Sequence, residues 1–195
     1  MRSKGEITRE KIISEAVGLF HKKGFGATSV SDLIQAAKIK KGSLYFHFAG
    51  KDDVVYAVLA QAGENFMKFL DSSLTGKTPG DCLENFFKNV LERHRSSGFV
   101  GGCIFGNTAL EASDTCERHA AFVDLIFDEW TEKIRKKVEE AQKNVEVTKE
   151  IASDALACHI VSVIEGGIML SRLKKKEQPL RDCLDSLRVF LKLKK

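Results

Sequence analysis

Apolar residues recur three and four positions apart along almost the whole chain, a spacing that predicts helices throughout and no strands. The first helix is expected from near Thr8, with Ile13, Ala16, Val17 and Phe20 turned inward. Gly24 should end it as a left-handed cap, after His21, Lys22 and Lys23 have placed positive charge against the helix C-terminus. Phe25 should then fold back onto the core. Val30, Leu33, Ile34 and Ala37 form the stripe of a second helix, capped by Thr28 or Ser29, with Asp32 three residues after Ser29. A turn through Lys38 and a buried Ile39 leads to a third helix from about Lys40 to Phe46. Leu44, Phe46 and Phe48 are expected beneath it.

A longer amphipathic pattern begins at Lys51, with Val55, Val58, Leu59, Ala62, Phe66, Phe69 and Leu70 on one face. The polar run from Ser72 to Lys77 breaks it. Thr78-Pro79-Gly80-Asp81 then supplies a cap, a proline for the first turn and an acid for the helix N-terminus. Leu83, Phe86, Phe87, Val90, Leu91 and His94 share the next face. The Gly-rich stretch from Ser96 to Asn107 reads as a loop before a short helix near Thr108 to Ala112. Val123, Ile126, Phe127, Trp130, Ile134 and Val138 mark a long helix after it. Two more follow, Ile151 to Leu173 and a last one from Pro179 with Leu180, Cys183, Leu184, Leu187 and Leu191. The fold class is therefore all-α.

Composition changes this picture in one respect. The chain of 195 residues carries a net charge of only +4, but the charge is unevenly placed. Residues 1–50 hold nine Lys and Arg against four Asp and Glu, and the rest is close to neutral. A basic head on a neutral body suits a polyanion partner. The N-terminus is charged, without the apolar stretch of a signal peptide. The most apolar helix is interrupted by Asp154, His159, Glu165 and Arg172, so no membrane span and a cytoplasmic location are expected. Five scattered cysteines without paired spacing read as reduced, mostly buried small hydrophobes, and no metal or cofactor is expected.

The head has the layout of a helix-turn-helix between Thr28 and Phe48. Lys41 can reach a phosphate or a guanine edge, Gly42 lets backbone approach a duplex, and Ser43 can bond either. Tyr45 and His47 are phosphate donors, with Thr28, Ser29, Lys40 and Lys51 as further contacts. The run IKKGSLYFHFAGKDDVV, with LFHKKGFGATSVSDL before it, resembles the signature of the TetR family of bacterial transcription repressors. The similarity covers Glu6 to about Leu59 and is weaker at GGCIFGNTALEASD and IEGGIML. It departs from the usual pattern at Lys38, where the family has Gly in the turn, and at Lys40, where it has a Ser or Thr cap. The resemblance implies a three-helix DNA-binding domain over residues 1–50, a larger helical ligand-binding and dimerisation domain over 51–195, and a homodimer on a palindromic operator of double-stranded DNA.

Within the second domain, candidate ligand contacts are Phe66, Phe69, Phe86, Phe87 and Phe105, then Phe127, Trp130, Cys103 and His159. Phe122, His94 and Glu165 are further candidates. An aromatic lining points to a small apolar or aromatic effector. The last two helices, over 151–173 and 179–193, are apolar on more than one face and are expected to pair across a two-fold axis. A regulator answering to a thiol or a protein partner, without a small effector, is the alternative. An enzyme is not expected. Cys103, His94 and Asp114 can be drawn as nucleophile, base and orienter only by residue type.

Overall fold

The computed structural model describes residues 3–193 and contains nine helices in that span. They are α1 (Lys4–Lys23), α2 (Val30–Ala37), α3 (Lys41–His47), α4 (Lys51–Ser73), α5 (Pro79–Ser96), α6 (Ile104–Ala112), α7 (Glu117–Lys143), α8 (Ser153–Lys174) and α9 (Gln178–Leu191). Helix α1 begins a turn earlier than the apolar pattern suggested. Ser3 and Glu6 close a reciprocal cap, with the Ser3 N–H donating to Glu6 Oε2 at 2.7 Å and the Glu6 N–H to Ser3 Oγ at 3.2 Å. Gly24 has the expected positive φ of 81°, but its ψ of 169° is extended rather than left-handed helical. The chain thus leaves α1 directly toward Phe25, whose ring packs edge-on against Phe20 at 4.8 Å.

The reciprocal caps expected at Ser29 with Asp32 and at Thr78 with Asp81 are both present. Lys38 takes the left-handed conformation (φ 52°, ψ 49°) that the family usually gives to glycine. Its N–H bonds Gln35 O and the next N–H, of Ile39, reaches back to Ile34 O, so the turn closes with two hydrogen bonds. Lys40 flanks α3 without a side-chain cap.

The head core unites Ile12, Ala16 and Phe20 of α1, Leu33 and Ala37 of α2, and Leu44 with Phe48 around α3. It continues past residue 50 into Val54, Val58 and Leu59 of α4, and draws in Phe105 of α6 and Val123 and Ile126 of α7. A second core fills the body, from Leu70, Leu83, Phe86 and Phe87 through Trp130 and Ile134 to Ile160, Ile164, Leu184 and Leu187. Two glycines permit its closest crossings. A Cβ on Gly63 of α4 would sit 2.9 Å from Ile126 Cδ1 of α7, and one on Gly167 of α8 would sit 3.0 Å from Leu180 Cδ1 of α9. Gly167 lies opposite Leu180 and Cys183, Ser171 accepts from Leu180 N, and His159 meets Phe190, so α8 and α9 run antiparallel.

Three expectations need correction here. Phe46 is not beneath α3: it is 81% exposed. Leu44 and Phe48, four residues apart, already occupy the inward face, and a residue midway between them points away from it. Ile39 is half-buried rather than buried. Of the five cysteines only Cys82 is buried, and Cys158 is exposed. Helix α8 is long and apolar enough, by length and composition, to cross a membrane despite its polar interruptions. Leu156, Ile160 and Ile164 are fully buried against the rest of the chain, while Met169, Leu170 and Leu173 face outward.

Phe86 is fully buried in the body core. Phe86→Ala should cost about 3–5 kcal/mol in urea unfolding, whereas Phe46→Ala should stay within about 0.5 kcal/mol of the parent.

Candidate DNA interface and ligand cavity

Helix α3 separates its side chains cleanly. Leu44 and the following Phe48 are buried, and Lys40, Lys41, Gly42, Tyr45 and Phe46 are exposed, with Ser43 and His47 half-buried beside them. Lys41 Nζ lies 5.9 Å from the Tyr45 ring centroid, and the Phe46 ring stands edge-on to His47 at 4.9 Å. A Cβ on Gly42 would meet nothing within 4 Å. The fold therefore does not need glycine there, and the missing side chain leaves room for something outside the chain. Phe46 is the member of this face that the sequence pattern missed. Counting positions from Leu44 and Phe48 would have found it.

Three expected contacts are otherwise engaged. Thr28 is buried, and its hydroxyl donates to Gly24 O at 2.7 Å. Ser29 Oγ accepts from Asp32 N at 3.1 Å and donates to Asp32 Oδ2 at 2.8 Å, so it serves as the α2 cap. Lys23 also bonds this carboxylate, which is held far below the usual carboxylate range, chiefly by that bond. Lys51 Nζ donates to Phe25 O at 3.0 Å and Gly26 O at 3.4 Å, which leaves one of its three protons for a phosphate.

The loop at Phe25 and Gly26 is also gripped from the other side. Glu111, near the end of α6, accepts from Phe25 N at 2.8 Å and Gly26 N at 3.0 Å. Gly24 makes room for it, since a Cβ there would lie 2.7 Å from Glu111 Oε1. A second tie joins the starts of α4 and α7. Arg118 donates to Asp53 at 2.7 Å with its guanidinium 4.1 Å from the Tyr56 ring centroid, and His119 Nε2 lies 3.1 Å from Asp52 O.

A cavity of about 380 Å³ lies between α4, α5, α6, α7 and α8, and its wall includes Val17 and His21 of α1. Phe66, Phe69, Cys103, Phe105 and Trp130 line it as expected, and so do His94 and Glu165. Phe86 and Phe87 do not: both are fully buried in the core behind it. Phe127 lines a second hollow instead, and His159 is exposed on the outer side of α8 with its ring 4.7 Å from Phe190. The aromatic stripe held both core and cavity residues, and spacing alone could not divide them. Of the atoms drawn as a catalytic trio, Cys103 and His94 face the cavity, but Asp114 lies in a separate surface hollow.

Burial sets the charge of the cavity groups. Glu165 is pushed up to about 7 by desolvation, opposed only by a bond from the Cys103 thiol. His94 is pulled down to about 4, mainly by burial and then by Arg93. Burial, Arg172 and Arg93 lower His21, and burial followed by Glu165 raises Cys103 well above an ordinary thiol. A protonated Cys103 thiol is a poor nucleophile, which weighs against thiol chemistry at this position. Glu165 Oε1 and Trp130 Nε1 are buried without a hydrogen-bond partner.

A helix-turn-helix with an unoccupied polar and aromatic face, on a helical body enclosing a cavity, defines a DNA-binding transcriptional regulator. Residues 12–58 match the model of bacterial regulatory proteins of the tetR family, and residues 79–186 match the C-terminal domain of LmrA/YxaF-like transcriptional regulators. The chain belongs to the TetR family. It is 25% identical over 174 residues to the transcriptional repressor DhaR of a Mycobacterium species, covering 88% of this chain and 86% of that one. It is 27% identical to the regulator LmrA of Bacillus subtilis, covering 89% and 90%. A TetR regulator from Chloroflexus aurantiacus superposes with a TM-score of 0.88 at 31% identity, over 97% of this chain and 96% of that one.

Glu165 generates a pH prediction. The folded protein holds its proton to about pH 7, whereas an ordinary glutamate releases it near 4.5. This contribution therefore favours folding at low pH and is lost as pH rises from about 4.5 through 7, by about 3 kcal/mol at most. His94 acts oppositely, because the folded imidazole takes up its proton only near 4 against 6.5 when unfolded. Its neutral burial disfavours folding at acid pH, and stability recovers between about 4 and 6.5. Urea unfolding of Glu165→Gln should lose the decline above pH 6.5 and show the His94 rise unopposed.

Proposed function

We propose that this regulator is a ligand-released repressor that binds a palindromic operator as a homodimer in the cytoplasm. The observation that carries the reading is the outer face of α3. Lys41, Tyr45 and Phe46 are exposed there, and Gly42 is glycine with no internal reason to be. Lys40 and Lys41 supply phosphate attraction, Tyr45 and His47 supply hydrogen bonds, and the Phe46 ring offers an apolar surface for a thymine methyl or a sugar. One copy of this short helix reads too few base pairs to select a site, so a two-fold pair in successive major grooves, ~34–36 Å apart, is required. The partner surface is the outer strip of α8 and α9, where Met169, Leu170, Leu173, Val189 and Phe190 are exposed.

The cavity supports release by a ligand. Its wall includes α1 residues, so an occupant touches the head itself as well as the body. Cys103, Ile104 and Phe105 at the start of α6 line the same space, and Glu111 near its other end holds the Phe25–Gly26 loop. A ligand that shifts α4 or α6 moves the loop that orients α2 and α3. A coupling of ~1–3 kcal/mol would be enough to favour the DNA-free state several-fold or more. The name repressor is that of the Mycobacterium relative and supports the direction of control.

Duplex binding on an operator recovered by footprinting the upstream DNA tests the reading. Gly42→Ala should leave stability unchanged or raise it by about 0.5–1 kcal/mol, since alanine is the better helix former, while weakening duplex binding at least tenfold. Lys41→Ala should weaken binding to all sequences and lower the salt slope by about one. A Gly42→Ala protein that binds the operator as tightly as the parent would remove α3 from the interface.

A further inference from the structure

Two residues that line the cavity, Trp130 and Glu165, each hold one buried polar atom without a hydrogen-bond partner, and the two atoms call for different partners. Trp130 Nε1 can only donate, and Glu165 Oε1 is a buried carboxyl oxygen with no partner. Native proteins rarely leave such groups orphaned, because each costs free energy unless something arrives to pair it. Glu165 is held in place by close packing over Gly106, where a Cβ would collide with its carboxylate. Gly106 thus permits an acid to be pressed against the start of α6.

No fixed cation compensates this acid. Arg93 is exposed at the mouth, its guanidinium 4.8 Å from the Phe69 ring centroid, and Arg172 is bonded to Asn107 Oδ1 at 2.6 Å. Both influence His21, yet the influences on Glu165 are burial and Cys103 alone. The cavity that Glu165 lines has aromatic walls: the Phe66 ring lies 5.4 Å from Phe105 and 5.1 Å from Trp130, centroid to centroid. Aromatic faces carry negative charge density that attracts cations and repels anions.

Resting on the reading of this cavity as the effector site, we propose that it takes an amphipathic monocation. The apolar skeleton lies among Phe66, Phe69 and Phe105, a protonated nitrogen meets Glu165, and an acceptor atom on the skeleton receives the Trp130 N–H. Binding leaves Glu165 ionised, and the proton it held passes to solvent. Other titrating groups facing the site stay fixed between pH 6 and 8. His94 remains neutral, burial and the nearby arginines lower His21 below an ordinary imidazole, and Cys103 keeps its proton. A carboxylate ligand accepting from both Trp130 and protonated Glu165 is the competing solution, and the aromatic walls disfavour it.

Trp130 is the only tryptophan in the chain, so its emission reports on the cavity. Three probes share one skeleton and differ in charge: 4-phenylbutylamine, 4-phenylbutanol and 4-phenylbutyrate. The amine should quench Trp130 with the lowest Kd and bind about tenfold tighter at pH 8 than at pH 6, because it stays protonated while Glu165 loses its proton. The alcohol should change less than twofold. Calorimetry in buffers of different ionisation enthalpy should show proton release with the amine at pH 6. Glu165→Gln should lose the amine preference and its pH dependence while binding the alcohol as before. Tighter binding of the butyrate or the alcohol, an equal loss of all three in Glu165→Gln, or no quenching by any of them would overturn the proposal. An amine that binds as described yet leaves duplex affinity unchanged would count against release by a ligand, not against the charge of the site.

Discussion

The structure depends on how one short loop is held. Between α1 and α2, Phe25 and Gly26 give their N–H groups to Glu111 and their carbonyls to Lys51. Helices α4 and α6 of the body thereby clamp both sides of the segment that sets the angle of the helix-turn-helix. A carboxylate on two backbone N–H groups is a charge-assisted pair of bonds, about twice as strong as neutral ones. Its geometry is possible because Gly24 has no side chain to displace it. The head is therefore continuous with the body, and its core runs on into α4, α6 and α7 through Val58, Phe105 and Val123.

The cavity shows the opposite economy. A core built only for stability would have paired or replaced Glu165 and Trp130 Nε1, since burying an unpaired polar group costs ~1–3 kcal/mol. Here the two residues that carry the orphans line a space whose walls also belong to α1 and to the start of α6. The least satisfied part of the body is thus in contact with the elements that orient the head. The cavity wall and the elements that orient the head thus share residues of α1 and α6.

Much of this was legible in the chain. The reciprocal caps of α2 and α5 follow from local rules about which residue can bond which backbone group, and the left-handed Lys38 and uncapped Lys40 were marked by their departure from the family pattern. The apolar spacing located every helix, though it gave the first turn of α6, Ile104 to Asn107, to the Gly-rich loop before it, and the Lys40-to-Phe48 run pointed to the reading head. Less legible were residues whose type serves two purposes. Thr28 and Ser29 are polar and near the turn, but their hydroxyls are taken by Gly24 O and Asp32. Phe46 looked like core because it is aromatic, though its position between Leu44 and Phe48 sends it outward. Phe86, Phe87 and His159 could be separated from true cavity residues only by tertiary packing. The Glu111 clamp joins residues 86 positions apart, and no local pattern announces it.

The clamp can be tested alone. Glu111→Ala should retain the helical content of the parent and lose about 1–3 kcal/mol of stability, because two backbone N–H groups lose a charged partner. Its affinity for the operator duplex, read by anisotropy at moderate salt, should fall at least tenfold as the head loses its fixed orientation. Parental affinity in that variant would contradict the claim that the body holds the head in its reading position.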